Sequence, residues 1–392
     1  MKMNRELIKG SFVLMISFGI FNFLNFMFHF LMARSLSIVE YGVLATLFSI
    51  LYVFSVFSES IQIIITKYTA SEKSKGKLKN IIKKSLNRSI KISLFLFILT
   101  IIISFPLSYF LKIPFPLIAL NSVIIFFSFL SPITRGVMQG TKKFNSLGLN
   151  VIVEGLGKLI ISFFLVYFGF KVYGAIIGVI IGSSIAFLIS FASLKDIFRE
   201  KELKSETPKI YGYSRPAFIS ILTLFIFYSV DVFIARLVFS EEVSGAYALA
   251  ATMAKTIFWG TQPISKAMFS ISAEKKDDKK SPEQFLINSV FIVGILIIAG
   301  LSIFYFFPDF LIRIFSGKDI FFPANILFIL GIGMGVLAIA NLILLYKLSL
   351  GNIRGTKFLL LFVAVEILML VHFSKNLLQY SQASDVLRFQ AK

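Results

Sequence analysis

The sequence predicts an all-α integral membrane protein, and three observations support that fold class. The chain has 392 residues, of which 57% are hydrophobic and only 15% are charged, whereas about a quarter of the residues in a soluble domain are charged. The apolar residues form runs long enough to cross a bilayer. Most basic residues lie in every second connection between these runs. Since lipid offers the backbone no hydrogen-bond partner, we expect each run to be a helix.

Eleven segments reach the length of about 20 mostly apolar residues that a span needs. They cover residues 10–32, 41–66, 89–111, 114–138, 146–168, 172–193, 216–238, 244–270, 285–307, 321–346 and 356–374. The first run is too long for the apolar region of a signal peptide, so we expect it to be a span. The N-terminus and the connections after even-numbered segments carry most of the basic residues. The other connections contribute six, namely Arg34, Lys112, Lys171, Arg236, Arg313 and Lys318. The positive-inside rule then predicts a multi-pass protein of the cytoplasmic membrane with a cytoplasmic N-terminus.

The formal net charge of +20 indicates membrane lipids as a partner, and we expect no nucleic acid. The most basic stretch runs from Lys73 to Lys91, just before the third span. We expect this stretch to be a helix that lies on anionic headgroups.

Two short motifs suggest an internal repeat. The segment His29–Arg34 (HFLMAR) matches Asp231–Arg236 (DVFIAR) at an offset of 202 residues. An acidic turn with Gly and Tyr follows each segment, Glu40–Gly42 in the first half and Glu242–Tyr247 in the second. Parallel repeats of this kind place a substrate site between the halves. We therefore predict an N-terminal six-helix bundle over residues 1–200 and a C-terminal bundle over residues 201–392.

The repeat also predicts a twelfth span near residue 383, but residues 373–392 are polar and short. We expect the C-terminal bundle to have five helices and a short polar tail. Either this variant lacks the twelfth helix, or the sequence is truncated.

Motifs near the ends of several spans carry a resemblance to a known family. They are Ala33–Leu36 with Glu40–Gly42, Gly136–Phe144 (GVMQGTKKF), Tyr228–Asp231, and the run from Gly245 to Lys255. In order and spacing they resemble polysaccharide flippases of the multidrug/oligosaccharidyl-lipid/polysaccharide (MOP) exporter superfamily. The resemblance covers essentially residues 1–378. It implies a MATE-like fold and a translocase of lipid-linked oligosaccharide, although eleven spans depart from the even number usual in that family.

Charged residues inside the apolar segments are the candidate functional residues, because a charge at a helix centre costs about 2.5–3.5 kcal/mol on insertion scales. Polar residues share helical faces with them. Asn150, Glu154, Lys158 and Ser162, for example, recur every fourth residue in span 5. We expect such faces to line a cavity between the two halves. The candidate substrate-binding residues are Arg34, Glu59, Arg135, Glu154, Lys158, Asp231 and Lys255, with Arg236 as a further cation.

A lipid-linked oligosaccharide on an isoprenoid diphosphate would need the cations among these residues, because Lys and Arg bind phosphate oxygens. Each candidate also has a purely structural alternative. Glu154 and Lys158 could pair within one helix, and Asp231 and Lys255 could pair between helices. Arg34 and Arg236 could anchor helix ends by snorkelling.

The remaining polar residues leave further alternatives open. Glu59 could bind a proton or cation, or it could pair with a basic group elsewhere. His29 could be a hydrogen-bonded interior histidine or take part in proton coupling. Asn22 and Asn25 are expected to bond across helices rather than to contact substrate.

No motif indicates an enzyme. The chain has no Cys and two His, so we expect no metal site and no cofactor, and it lacks a phosphate-binding GxxxxGK[ST] loop. The function that the sequence favours is flipping of a polysaccharide precursor by alternating access, with polysaccharide assembly proteins as further partners. One alternative is a cation-coupled efflux antiporter of the same superfamily that uses Glu59, Asp231 and Glu154. The other is a non-transporting scaffold for polysaccharide assembly.

Overall fold

The computed structural model describes residues 5–205, 215–274, 282–320, 325–350, 358–373 and 377–382, and it is helical throughout these ranges apart from short connections. The helices are α1 Arg5–Ser35, α2 Ile38–Ser71, α3 Lys75–Leu111, α4 Phe115–Ser122, α5 Ile124–Gly140, α6 Phe144–Leu165, α7 Lys171–Ser193, α8 Lys195–Phe198, α9 Arg215–Val238, α10 Glu241–Glu274, α11 Pro282–Phe306, α12 Pro308–Ser316, α13 Asn325–Ser349 and α14 Phe358–His372. Residues 377–382 are also helical.

Helices coincide with all eleven predicted spans, except that residues 321–324, 356–357 and 374 lie outside the described ranges. Within the described residues, eight segments are long and apolar enough to cross a membrane. One of the eight, Phe144–Ser193, contains both α6 and α7. The all-helical membrane fold is thus confirmed, while the count of eleven spans stays a prediction. The expected loss of a twelfth span concerns residues that lie largely outside the described ranges.

The turn between α6 and α7 shows how the sequence separates two predicted spans. The π-helical stretch Val166–Phe170 ends the first helix, and Gly169 takes a φ of 90°, which glycine adopts without steric cost. Beyond it, α7 runs back along α6. A Cβ on Gly157 would lie 3.1 Å from Gly182 Cα, and one on Gly178 would lie 2.2 Å from Ser162 Oγ. These small residues let the two backbones approach closely.

The outward surface is apolar, as lipid contact requires. On α3, Phe95, Ile102 and Phe105 are 65%, 65% and 78% exposed. A row of exposed aromatic and aliphatic side chains on one helix would be costly in water and is favourable in hydrocarbon.

Contacts divide the chain into two compact units. Unit 1 comprises Met1–Phe28 and Phe54–Arg215, and unit 2 comprises His29–Val53 and Pro216–Lys392. The core of unit 1 is built by α2, α3, α5, α6 and α8, with Ile65, Ile82, Phe129, Val137 and Leu194 buried in it. In unit 2, α13 packs on α11, where Gly331 faces Phe304 and Gly335 faces Ile297. The predicted division between residues 200 and 201 stays a prediction.

The basic first half of α3 binds the chain's own connection after α7. Lys79 Nζ donates to the carbonyls of Phe198 at 2.7 Å and Glu200 at 2.8 Å. Lys83 Nζ lies 2.7 Å from Glu202 Oε2, and Asn80 Nδ2 donates to Glu202 Oε1 at 2.6 Å. Much of the positive charge of α3 is therefore bound by other residues of unit 1. The sequence predicts that this helix lies on lipid headgroups and does not indicate these internal partners. We call these contacts between α3 and residues 194–205 the α3 clamp.

The α3 clamp contains two carboxylates, Asp196 and Glu202, and both bind lysines. Partial burial alone would raise the pKa of Asp196, but hydrogen bonds from Lys143 and Lys75 bring it below its usual value. The hydrogen bond from Lys83, followed by that from Asn80, lowers the pKa of Glu202. Both groups are therefore ionised over the neutral pH range.

Candidate functional site

Three polar helices of unit 1 meet at a buried ion pair. Arg135 on α5 donates through Nη2 to Glu154 Oε2 on α6, and through Nε to Asn150 Oδ1 at 2.8 Å. The two charged side chains are only 15% and 19% exposed. The pair thus neutralises two of the charges that the sequence placed inside the membrane.

The third helix, α7, supplies further hydrogen bonds to Glu154 and Asn150. Ser183 Oγ donates to Glu154 Oε1 at 2.9 Å, and Asn150 Nδ2 donates to the Ala186 carbonyl at 2.6 Å. Every oxygen of the Glu154 carboxylate therefore has a donor. Such saturation is the condition under which a buried ion pair is tolerated.

Lys158 lies one turn along α6 from Glu154 and is held by α1. Its Nζ donates to Asn25 Oδ1 at 2.8 Å and lies 4.1 Å from the centre of the Phe28 ring. Glu154 forms a salt bridge with Arg135 on another helix, and the alternative of a Glu154–Lys158 pair within α6 stays a prediction. The expectation that Asn25 bonds across helices is confirmed.

Close packing of α1 on α6 positions these groups. A Cβ on Gly148 would lie 2.3 Å from Ser17 Oγ, and one on Gly155 would lie 3.0 Å from Leu24 Cδ1. The contacts advance in the same direction along both helices, so α1 and α6 run parallel. Seven residues separate the two glycines, and this spacing keeps both on the face that α1 covers.

In unit 2, the corresponding buried acid is Asp231 on α9, which has no exposed surface. Tyr247 on α10 donates its hydroxyl to Asp231 Oδ2 at 3.2 Å. Tyr380 donates to the Asp231 carbonyl at 2.6 Å and packs edge-on against Tyr247, with 5.3 Å between the ring centres.

Lys255 on α10 lies among aromatic rings of the same unit. It is 4% exposed, and its Nζ lies 4.7 Å from the centre of the Tyr228 ring and 5.9 Å from that of Tyr52. The two tyrosine rings themselves meet edge-to-face at 4.9 Å. The faces of aromatic rings attract a cation at this distance. The alternative of an Asp231–Lys255 ion pair stays a prediction.

The two motifs of the predicted repeat both lie in unit 2. His29 Nδ1 and the Tyr41 hydroxyl are 3.3 Å apart, and Tyr247 bonds Asp231. Gly42 follows Tyr41, and a Cβ on it would lie 2.7 Å from Gly245 Cα. Tyr41 and Tyr247 lie at an offset of 206 residues rather than 202, so the repeat stays a prediction.

Both repeat-related arginines lie at helix ends. Arg34 Nη1 donates to the Ile314 carbonyl of α12 at 2.6 Å. Lys318 Nζ donates to the carbonyl of Ala33 at 2.7 Å and to that of Leu36, which follows the end of α1. Burial lowers the pKa of Lys318. Arg236 Nη2 lies 3.5 Å from Glu241 Oε2. These contacts match the structural alternative in which Arg34 and Arg236 anchor helix ends.

Glu59 on α2 is partly buried, and its role stays a prediction. Sequence reasoning missed Ser183 and Tyr380 as ligands. Neither carries a charge, so no desolvation argument singled them out. Among the described residues, no group of three or more His, Cys, Asp or Glu side chains could hold a metal ion.

Together, the helical architecture and the buried polar networks define a class: a multi-pass membrane protein with the fold of MOP superfamily transporters. An inward-facing multidrug resistance MATE family transporter of that superfamily superposes with a TM-score of 0.74 at 13% identity, covering 94% of this chain and 91% of the other. The lipid II flippase MurJ, in an inward closed conformation, gives a TM-score of 0.72 at 17% identity, with coverage of 98% and 86%.

Sequence comparison assigns the family. The profile described as "Polysaccharide biosynthesis protein" matches residues 31–319, which is most of the chain. The chain therefore belongs to this family. An uncharacterized membrane protein of Methanocaldococcus jannaschii is 26% identical over 304 residues, which cover 72% of each chain.

Proposed function

We propose that this protein flips a lipid-linked oligosaccharide, a precursor for polysaccharide synthesis, across the cytoplasmic membrane. Family membership supports a role in polysaccharide biosynthesis, and the fold supports transport. The observation that carries the proposal is the buried charge of unit 1, where Arg135 and Lys158 supply two cations around the carboxylate of Glu154. An excess of positive charge inside a membrane protein suits an anionic headgroup.

The proposed substrate carries its sugar on an isoprenoid diphosphate. Its headgroup would enter the protein while the tail stays in lipid. Lys158 or Lys255 would serve the diphosphate, and the N-terminus would lie on the cytoplasmic side. Lysine suits this purpose because its ammonium is a mobile point charge that can follow a moving phosphate.

The test is a flipping assay with the full chain in proteoliposomes. Lipid-linked oligosaccharide is placed in the inner leaflet, and a lectin added outside detects the sugars that appear there. We expect protein-dependent exposure that falls at least tenfold for Lys158→Glu. Lys195→Gln, an exposed lysine replaced at the start of α8, is the matched control and should flip normally. Normal flipping by correctly inserted Lys158→Glu would refute Lys158 as the phosphate ligand, and no flipping by the wild type would refute the function.

A second candidate is a cation-coupled efflux antiporter. The observation that favours it is Asp231, a fully buried carboxylate bonded by Tyr247 in unit 2, together with the MATE fold. This function predicts that a sodium or proton gradient drives uptake of a cationic dye into proteoliposomes, and that Asp231→Asn abolishes it. Gradient-independent flipping without dye uptake would exclude this candidate.

A further inference from the structure

We propose that Trp259 on α10 is the stacking surface for a sugar ring, and that the face of α10 around it binds the first sugar of the lipid-linked substrate. The inference rests on the proposed function and adds a sugar subsite within unit 2. The expected ligand is a hexopyranose. The face of an aromatic ring is negative, so it attracts the weakly positive C–H groups of such a sugar.

Three side chains of suitable chemistry follow one another along α10. Lys255, Trp259 and Gln262 are spaced by four and three residues, so they lie on one face of the helix. At a rise of about 1.5 Å per residue, Lys255 and Gln262 lie about 10 Å apart along the helix axis. This length accommodates a diphosphate beside Lys255 and one sugar ring beyond it.

The surface around Trp259 has room for a ligand. The indole is partly exposed, and Gly260, the next residue, is exposed. A Cβ on Gly260 would meet no atom of the described residues within 4 Å, apart from its neighbours in the chain. A sugar ring can therefore approach α10 at this point without displacing any of these residues.

Aromatic contacts hold the indole in place. The His29 ring stacks on Trp259, with 5.6 Å between the ring centres and 25° between the planes. His29 itself is held, because its Nδ1 lies 3.3 Å from the Tyr41 hydroxyl and its ring packs edge-on against Phe48. A side chain that is already ordered loses little conformational entropy when a sugar stacks on it.

Two polar side chains near Trp259 have hydrogen-bonding capacity to spare. The Tyr228 hydroxyl is buried and meets no partner with the geometry of a hydrogen bond, although Tyr52 and Trp259 lie close enough to act on it. The Gln262 amide is partly exposed and makes no hydrogen bond to a described residue. A buried polar group without a partner costs stability. Sugar hydroxyls both donate and accept, so they suit the two groups.

The same cluster is unsuited to an organic cation. Lys255 Nζ already lies 4.7 Å from the centre of the Tyr228 ring and 5.9 Å from that of the Tyr52 ring. An ammonium group thus occupies the aromatic faces that a cationic ligand would need. The ligand of this face is accordingly neutral or anionic, as a sugar diphosphate is.

The test compares two probes that differ only in the sugar, N-acetylglucosaminyl diphosphate geraniol and geranyl diphosphate. They are titrated into the full chain in lipid nanodiscs, because many detergents carry a sugar headgroup. Trp259 is the single tryptophan of the chain, so its emission reports on the subsite directly. We expect a saturable blue shift with the sugar-bearing probe alone, and a Kd about tenfold lower than that of geranyl diphosphate by calorimetry. An unchanged emission spectrum or equal Kd values would overturn the proposal.

A steric variant tests where the sugar lies. Gly260→Leu places a side chain in open space, so the fold should tolerate it. It should bring the Kd of the sugar-bearing probe up to that of geranyl diphosphate. Gly294→Leu on α11 is the matched control, since a Cβ there also meets no atom of the described residues within 4 Å. Normal binding of the sugar-bearing probe to Gly260→Leu would overturn the placement of the sugar.

Tyr228→Phe distinguishes a ligand from a structural group by the sign of its effect. Removing a buried hydroxyl that has no partner should raise the unfolding midpoint of the empty protein, because that hydroxyl no longer has to be desolvated. The same variant should weaken binding of the sugar-bearing probe by about three- to tenfold. A lower midpoint with unchanged binding would overturn the assignment of Tyr228 to the subsite.

These results separate the sugar subsite from the proposed function. A Kd that depends on the sugar, combined with no flipping by the wild type in proteoliposomes, would keep the subsite and reject the function. Flipping that stays normal in Gly260→Leu and Trp259→Leu would keep the function and reject the subsite.

Discussion

The buried ion pair of Arg135 and Glu154 allows a quantitative test of how unit 1 is held together. Replacing Arg135 with methionine removes the salt bridge of Glu154 and leaves Ser183 donating to its carboxylate, in a site where the pair is 15% and 19% exposed. Removing one partner of a buried pair costs about 3–5 kcal/mol, because the other charge remains desolvated. Replacing both with apolar residues of similar size costs much less, since no charge is left behind.

The measurement is a double-mutant cycle of Arg135→Met, Glu154→Leu and the double variant. Unfolding in SDS is followed by circular dichroism, because the single tryptophan, Trp259, belongs to unit 2 and would not report on unit 1. We expect a coupling energy of at least about 2 kcal/mol. A value below about 0.5 kcal/mol, as for exposed pairs, would refute the conclusion that this pair is buried and saturated.

Three further predictions concern other parts of the molecule. Because the pKa values of Asp196 and Glu202 are lowered in the folded state, their contribution to the α3 clamp is present above about pH 4 and is lost as the pH falls further. The hydrogen-exchange protection factors of residues 194–205 should therefore fall below that pH, and unchanged protection would show that the carboxylates do not hold the clamp. Gly182→Leu should destabilise unit 1 by about 2 kcal/mol or more, since a Cβ there would lie 2.5 Å from the Lys158 backbone nitrogen; thermal unfolding measures this, with Gly19→Leu as the tolerated control. Tyr380→Phe should lower stability by about 1 kcal/mol through loss of its bond to the Asp231 carbonyl, and an unchanged unfolding midpoint would contradict that bond.

Periodicity and hydropathy suffice to predict where each helix lies and which of its faces is polar. The four-residue spacing of Asn150, Glu154 and Lys158 placed them on one face of α6, and the structure shows that all three contact neighbouring helices. The partners could not be predicted in the same way. Arg135 bonds Glu154 from another helix, and this contact depends on how α5 packs against α6, which no local pattern encodes.

The α3 clamp shows the same limit for charge. The many basic residues from Lys73 to Lys91 indicated a helix on the membrane surface, since excess positive charge usually has no partner within the chain. Here the partners of Lys79 are the carbonyls of Phe198 and Glu200. Backbone carbonyls carry no sequence signal, so composition underestimates how many lysines are used internally.

Two tyrosines of unit 2 meet partners of different charge. Tyr41 lies 3.3 Å from His29 Nδ1, and Tyr247 donates to Asp231 Oδ2. A tyrosine hydroxyl can donate or accept, so it satisfies either partner without a change in packing. The close approach of Gly42 and Gly245 holds the helices around both contacts. With the helices held in this way, the partner of a tyrosine can be a histidine or an acid while the hydrogen bond is kept. This difference in charge is compatible with the internal repeat, which stays a prediction.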